Sequence, residues 1–281
     1  MDGVSTPDAP TAANPYLPYE PPPAPSPRSP RARRALIAVT VAWGLLLAGT
    51  GIWYSLHGRP TAREQTTVAR AEPVATQAIE DVVRAAGPSV VPAVSGFTKV
   101  ADCSVTPARG GADYQRVVSL YTPSGTEAAL LDRIAAGLPA RYHAAAYHSP
   151  GGAVHTLSAD AGYYVAVTGS VLSAGLVSVR ADTGCRTLGH QPAADPTTGP
   201  TAGPAQNPLG VDGSWYVHAL PCGLRTVEVT GPASRPWTVL SALPATGTVV
   251  ATGEVYANRD GQAAHVVHDT VTWSLTSGSC G

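Results

Sequence analysis

Charged residues are scarce in this chain of 281 residues, because only 13% of them are Asp, Glu, Lys or Arg. Lys99 is its single lysine, and the formal net charge is −1. Proteins that bind nucleic acid carry a concentrated basic patch that neutralises phosphates. The scattered arginines of this chain form no such patch, so we expect no nucleic-acid partner.

The sequence also lacks the short motifs that mark common catalytic sites. It contains no G-x-S-x-G elbow, phosphate-binding loop, H-E-x-x-H pair or dinucleotide fingerprint. The sequence therefore favours a protein that is not an enzyme, and it indicates no catalytic, cofactor-binding or metal-binding residue. A hydrolase whose site is assembled from residues far apart in sequence is the alternative, since such a site leaves no local motif.

One short stretch, Asp182-Thr183-Gly184, matches the motif that holds the catalytic aspartate of aspartic proteases. Those enzymes need two carboxylates that share a proton. The chain has no second Asp-Thr-Gly and no Asp-Ser-Gly. A turn at the end of a strand is therefore the preferred interpretation.

Histidines are grouped in two places. His143, His148 and His155 fall in one predicted hairpin, and His265 and His268 fall in one later predicted strand. Successive strand residues point to opposite faces, so the odd separations within the pairs His143/His148 and His265/His268 place each pair on two faces. We therefore expect no histidine metal site.

The chain has four cysteines, and none of them forms a closely spaced pair of the kind that binds zinc or exchanges disulfides. They are Cys103, Cys185, Cys222 and Cys280. Structural disulfides are expected, and four cysteines permit three connectivities. We prefer Cys103–Cys185 with Cys222–Cys280, because each pair then brackets one candidate folding unit. Disulfides persist in oxidising compartments, which indicates an extracytoplasmic location.

One apolar run dominates the N-terminal quarter. Residues 35–56, ALIAVTVAWGLLLAGTGIWYSL, contain no charged residue over 22 positions. About 20 apolar residues suffice to cross the hydrocarbon core of a bilayer as a helix. We predict a transmembrane helix, with the lipid bilayer as its partner. A cleaved signal peptide is the alternative, but its apolar region would be shorter and would end at a small-residue cleavage site.

Arginines flank this run on both sides. Arg28, Arg31, Arg33 and Arg34 precede it, and Arg59, Arg63 and Arg70 follow it. The positive-inside rule alone therefore decides little. All cysteines lie after the run, so we predict a cytoplasmic N-terminus and an extracytoplasmic C-terminal region of a single-pass protein in the cell membrane.

A stripe of small residues recurs every four positions within the apolar run, at Thr40, Gly44 and Ala48. Such stripes let two membrane helices approach closely. A weak homodimer mediated by the helix is one interpretation. Small residues that simply face lipid are the other interpretation, and the preferred one.

The segments around the predicted helix differ in composition. Residues 1–34 are rich in proline and poor in apolar side chains, which predicts a disordered cytoplasmic tail. Residues 57–92 are predicted to form a stalk with a short helix, because Ile79, Val82 and Val83 recur at helical spacing. Residues 190–210 are rich in proline and glycine and are predicted to be a linker.

Two predicted units lie on either side of that linker, and together they define an α+β fold class with mostly antiparallel sheets. The α+β unit, residues 93–189, has one helix whose start is marked by a capping box at Ser124 and Glu127. Its strands are predicted at 93–105, 114–121, 142–147, 154–157, 163–167 and 176–179. The β-rich unit, residues 211–281, has strands predicted at 215–219, 224–229, 248–256 and 266–275.

Three stretches carry a resemblance: NPYLPY at Asn14–Tyr19, LDRIAAGLP at Leu131–Pro139 and ADTGC at Ala181–Cys185. The chain resembles uncharacterised single-pass membrane proteins of GC-rich Gram-positive bacteria. The resemblance implies an exported domain at the cell surface and assigns no functional residue. We expect a membrane-anchored, extracytoplasmic, non-enzymatic binding or interaction module for a partner that the sequence does not identify.

Overall fold

The structure, a computed structural model, describes residues 29–57, 66–107, 109–189, 192, 197–198, 208–232, 240, 243–268 and 270–281. It contains two compact units, Met1–Ile52 and Trp53–Gly281. The predicted disordered tail lies outside the described residues as far as residue 28, and the predicted linker lies mostly outside them.

Helix α1 is Pro30–His57, and most of it, as far as Ile52, belongs to the N-terminal unit. The helix begins five positions before the predicted start at residue 35, because arginine is a good helix former and Arg31, Arg33 and Arg34 extend it. Its window Pro30–Tyr54 is long and apolar enough to cross a membrane, and none of that window is buried, unlike the core helix of a soluble protein. A membrane span and a signal sequence both fit this helix.

Among its described residues, the second unit contains two further helices of more than one turn, two sheets and one short 3₁₀ turn. The helices are α2, Val68–Ala86, and α3, Glu127–Gly137, and the 3₁₀ turn is Ala140–Tyr142. The first sheet contains β1 Val91–Thr106, β2 Arg109–Tyr121, β3 Ala145–His148, β4 His155–Asp160, β5 Ala166–Ser173 and β6 Leu176–Asp182. The second contains β7 Thr197–Thr198, β8 Trp215–Ala219, β9 Arg225–Pro232, β10 Thr248–Ala251, β11 Val255–Asn258, β12 Gln262–Val267 and β13 Thr270–Ser277.

Both sheets are antiparallel, so the α+β class with mostly antiparallel strands is confirmed. The strand order is β1-β2-β6-β5-β4-β3 in the first sheet and β10-β11-β12-β13-β9-β8-β7 in the second. The first sheet takes all its strands from before the predicted linker, and the second sheet takes β8 to β13 from after it. Strand β7, Thr197–Thr198, lies within the residues that were predicted to be a linker and pairs with β8. The sheets nevertheless pack into one compact unit, because apolar residues such as Val91 and Tyr121 of the first sheet form one cluster with Val255 and Ala263 of the second.

Helix α2 is part of the hydrophobic core, so the prediction of a stalk for residues 57–92 was wrong for this helix. Its apolar side chains Ala75, Ala78, Ile79 and Val82 are fully buried. They pack with β2, β6 and α3 on one face of the first sheet. The helix itself was predicted correctly from its apolar spacing. Such spacing shows that a helix has an apolar face, but it does not show which surface covers that face.

Several predicted strands have different bounds in the structure, and turns explain three of these differences. The predicted strands 248–256 and 266–275 each cover two strands that are joined by a tight turn. Thr252 forms one of these turns, since its Oγ1 accepts hydrogen bonds from the backbone N–H groups of Glu254 (3.2 Å) and Val255 (2.9 Å). Tyr142, the first residue of another predicted strand, ends the 3₁₀ turn instead.

The predicted capping box at Ser124 does not form. The N-cap of α3 is Thr126, which makes no capping hydrogen bond with its side chain. The carboxylate of Glu127 instead accepts hydrogen bonds from the backbone N–H groups of Gly125 (3.1 Å) and Gly175. Glu127 therefore ties the start of α3 to the β5–β6 turn, a partner that lies too far away in sequence to be seen locally.

Candidate functional site

The four cysteines form the two disulfides that the sequence analysis preferred. Cys103 is bonded to Cys185 with a Cα–Cα distance of 5.9 Å, and Cys222 is bonded to Cys280 with a Cα–Cα distance of 4.9 Å. The first bridge joins β1 to the segment after β6. The second joins the β8–β9 turn to the segment after β13. Disulfides in both parts of the unit fit an extracellular domain.

The Asp182-Thr183-Gly184 stretch forms a turn at the end of β6. Asp182 is the last residue of that strand, and its Oδ1 accepts a hydrogen bond from the backbone N–H of Gly184 at 2.7 Å. The hydroxyl oxygen of Thr183 accepts one from the backbone N–H of Tyr114 at 3.1 Å. The motif therefore connects β6 to β2, as a strand-end turn does.

A second carboxylate lies beside Asp182, and sequence reasoning missed it. Burial raises the pKa of Asp113 on β2, and the neighbouring charge of Asp182 raises it further. Two neighbouring carboxylates repel each other when both are ionised, which is why the charge of Asp182 adds to the effect of burial on Asp113. The sequence held no signal for this pair, because Asp113 belongs to no Asp-Thr-Gly or Asp-Ser-Gly motif.

His148 and His155 meet across the β3–β4 hairpin, and the sequence analysis did not consider this pair. They are directly opposite in the strand register, and their Nδ1 atoms are 2.7 Å apart. The Nε2 of His148 lies 2.9 Å from Oδ1 of Asp132 on α3. The Asp132 carboxylate accepts from His148, so the neutral pair has the Nδ1–H of His155 donating to the Nδ1 of His148.

This Asp132–His148–His155 chain has the chemistry of a proton relay but lacks a nucleophile. Among the described side chains, no serine hydroxyl is hydrogen-bonded to either histidine. Within the same ranges, no group of three or more His, Cys, Asp or Glu side chains is arranged to hold a metal ion. The hydrolase alternative gains no support from this cluster.

A buried polar cluster lies between the two sheets. The hydroxyl of Tyr121 on β2 is 2.8 Å from Nδ1 of His265 on β12. Burial lowers the pKa of His265 to about 4. Burial also raises the pKa of Tyr121, and the negative charge of Glu228 raises it further. Both groups are therefore neutral at pH 7, so the Tyr121 O–H donates to Nδ1 and the proton of His265 resides on Nε2.

Glu228 and His218 extend this cluster on the same face of the second sheet. The Nε2 of His218 lies 4.0 Å from Oε1 of Glu228. Burial raises the pKa of Glu228, and the charge of His218 lowers it in part. The cluster therefore joins the two sheets through polar contacts.

A cleft of about 1000 Å³ opens where the C-terminal end of α2 meets both sheets. Its apolar lining includes Val83, Val90, Val91, Leu224 and Val249. Its polar lining includes Arg84, Ser89, Arg259, Asp260, Thr276, Ser277 and Ser279. Ligand pockets combine a mostly apolar surface with a few polar groups, and their volumes reach about 1000 Å³.

The α2 side of the cleft is held by a buried acidic pair. The carboxylate of Glu80 accepts a hydrogen bond from the backbone N–H of Cys222 at 2.7 Å. Asp81 accepts from the hydroxyl of Tyr142 at 2.9 Å and from Arg84 at 2.7 Å. Arg84 also donates to the backbone carbonyl of Cys280 at 2.9 Å. Helix α2 therefore fixes both ends of the second disulfide against the first sheet.

Three charged residues of the cleft are exposed to solvent: Arg84 on α2, and Arg259 and Asp260 in the β11–β12 turn. The turn is held by Asn258, whose Oδ1 accepts from the backbone N–H groups of Asp260 and Gln262, both at 3.1 Å. The lining described here contains no histidine and one acidic side chain, Asp260. The cleft can therefore bind a ligand by shape and charge, and its lining holds no histidine of the kind that activates a serine in a catalytic triad.

The fold and the cleft define a class: an α+β protein of two antiparallel sheets with an N-terminal apolar helix. No known family matches the sequence. No curated protein is significantly similar to it. No solved structure matches the fold. The resemblance to single-pass membrane proteins of GC-rich Gram-positive bacteria therefore stays a prediction.

Proposed function

We propose that this chain is a single-pass membrane protein that displays an extracytoplasmic binding module through helix α1. The observation that carries the proposal is the cleft of about 1000 Å³, whose lining combines buried apolar residues with exposed charged ones. The exposed apolar helix supports anchorage, and the two disulfides support an oxidising compartment. In this arrangement the N-terminus is cytoplasmic.

The ligand of the cleft combines an apolar group with charged groups. Val90, Val91 and Leu224 are buried and offer contact to an apolar group. Arg259 and Asp260 offer charges of both signs next to one another. A ligand with these features, such as a segment of another polypeptide, would bury its apolar part while its charges stay at the solvent-exposed rim.

Protease added outside intact cells is expected to remove the region after α1 and to leave a membrane-embedded N-terminal fragment of roughly 60 residues, since a span of about 20 apolar residues is shielded by lipid. The measurement is an immunoblot with one tag at the N-terminus and one at the C-terminus. The N-terminal tag should be cut only after the cells are opened. Release of the C-terminal tag into the medium without protease would instead indicate a cleaved signal sequence.

A photo-crosslinking amino acid in place of Arg259, at the rim of the cleft, is expected to give one adduct of defined mass on the displayed full chain. The matched control is the same amino acid in place of Val267, which is 54% exposed at the opposite end of β12. The substitution Ser277→Trp, which fills the cleft, should abolish the adduct at position 259. Equal labelling at both positions, or labelling that survives Ser277→Trp, would contradict a binding role for the cleft.

A further inference from the structure

The turn between β4 and β5 displays two tyrosines in a conformation that non-glycine residues rarely adopt. Tyr163 and Tyr164 have φ angles of 51° and 60°, and they follow Gly162 with a φ angle of 87°. Their exposed fractions are 67% and 56%. This backbone is disfavoured for a bulky side chain, so contacts elsewhere in the fold must hold the turn.

A buried arginine supplies those contacts. Arg186 is 1% exposed, and its guanidinium donates hydrogen bonds to the backbone carbonyls of Thr183 and Tyr163. The same guanidinium donates to the hydroxyl of Thr66 at 2.7 Å. One side chain therefore binds both the tyrosine turn and Thr66, and the two segments lie side by side.

Thr66 stands close to the apolar helix in sequence. It follows His57, the last residue of α1, by nine positions. Leu188 lies on the same side of the unit, because the backbone N–H of Ala69 donates to the carbonyl of Leu188 at 3.4 Å, and Leu188 is 40% exposed. The segments that carry the exposed side chains of Tyr163, Tyr164 and Leu188 therefore lie next to Thr66 and Ala69, close in sequence to α1.

We propose that Tyr163, Tyr164 and Leu188 contact the lipid headgroup region of the membrane that α1 spans. Tyrosine is enriched at this interface because its aromatic ring is apolar and its hydroxyl is polar. Nine positions of chain extend to about 30 Å at most, which keeps this side of the unit within reach of the bilayer. The inference rests on the proposed membrane anchorage.

The test uses the full chain in nanodiscs of phosphatidylglycerol and phosphatidylethanolamine, with benzoylphenylalanine in place of one residue at a time. After irradiation, intact-protein mass spectrometry counts the chains that have gained one phospholipid. The probe at position 163 or 164 is expected to give about tenfold more lipid adduct than the probe at Tyr147, as an interfacial ring would. Tyr147 is a matched control, because it is 59% exposed and lies opposite Thr156, at the end of β4 away from the turn.

A probe at Trp53 within α1 separates failure of this inference from failure of the anchorage. A lipid adduct at position 53 with equal yields at 163, 164 and 147 would overturn the inference alone. No adduct at position 53 would overturn the anchorage and the inference together. Adducts to protein instead of lipid at 163 and 164 would also overturn it.

A second variant tests whether the tyrosines themselves hold this side at the membrane. With the probe at Leu188, the double substitution Tyr163→Asn with Tyr164→Asn is expected to reduce the lipid adduct about threefold, since interfacial tyrosines anchor a surface to the bilayer. Asparagine tolerates the left-handed backbone of the turn, and mass mapping of both disulfides confirms folding. Tyr147→Asn should leave the yield at Leu188 unchanged, and an unchanged yield in the double variant would overturn the role of the tyrosines.

Discussion

Replacing Cys103 and Cys185 together by serine is expected to lower the free energy of unfolding by about 4 kcal/mol. The bridge joins residues 82 positions apart, and a cross-link over such a separation restricts the unfolded chain strongly in the loop-entropy description. Both cysteines are only half buried, so the serines remove little packing. Urea denaturation of the full chain in detergent micelles, followed by tryptophan fluorescence, measures the difference.

The single variants Cys103→Ser and Cys185→Ser provide the sharpest control. Either one removes the whole bridge, so each single variant, with its remaining thiol alkylated, should lose as much stability as the double variant. Ser104→Ala, at an exposed neighbouring position, should change the free energy of unfolding by less than about 0.5 kcal/mol. Two small effects that add up in the double variant would show that the bridge itself contributes little.

Lowering the pH from 8 to 5 is expected to remove about 2 kcal/mol of folding stability through His265 alone. Its pKa in the folded protein is about 4, below the ordinary value of 6.5. Between pH 6.5 and about pH 4, the His265 side chain is therefore protonated in the unfolded chain but neutral in the folded chain. The free energy of unfolding falls as the pH drops through this range. The measurement is the free energy of unfolding from urea denaturation at several pH values.

The substitution His265→Asn isolates this contribution. The asparagine side chain retains an acceptor for the Tyr121 hydroxyl but does not titrate, so the variant should lack this part of the pH dependence. Glu228 has the opposite effect, because its raised pKa increases the free energy of unfolding as the pH falls. This contribution is present in both the wild type and His265→Asn, so it cancels in the comparison. His143→Asn is the matched control, since His143 is exposed. Parallel pH profiles for wild type and His265→Asn would show that His265 is not held neutral by burial.

Helix α2 connects the two sheets of the folded unit. It packs on the first sheet through Ile79 and Val82, and it binds the second disulfide through Glu80 and Arg84. The sheets are therefore joined by this helix as well as by their facing surfaces. The cleft lies at the end of α2 because the helix stops at Gly87, a residue with a φ angle of 81° that suits glycine at a helix C-terminus.

The sequence by itself determined the features that depend on neighbouring residues. A run of apolar residues from 35 to 56 determined a long apolar helix, because hydropathy and length are local properties. Alternating residues determined most strands, for example Trp215–Ala219, whose bounds agree with the prediction. The bracketing of each unit by two cysteines was enough to prefer the correct disulfide connectivity.

Only the tertiary structure decided which of these elements meet. The sequence of α2 would show the same apolar face whether the helix formed a stalk or part of a core. In the structure, the first sheet packs against this face and buries it. The pairs His148–His155 and Asp113–Asp182 each join two strands of the first sheet, and strand register brings their members together. The pair Tyr121–His265 joins the two sheets, so the packing of one sheet on the other sets its distance. Arg186 brings Thr66 to Tyr163 across a gap of 97 positions. Contacts of this kind depend on how sheets and helices pack, and no short-range pattern encodes them.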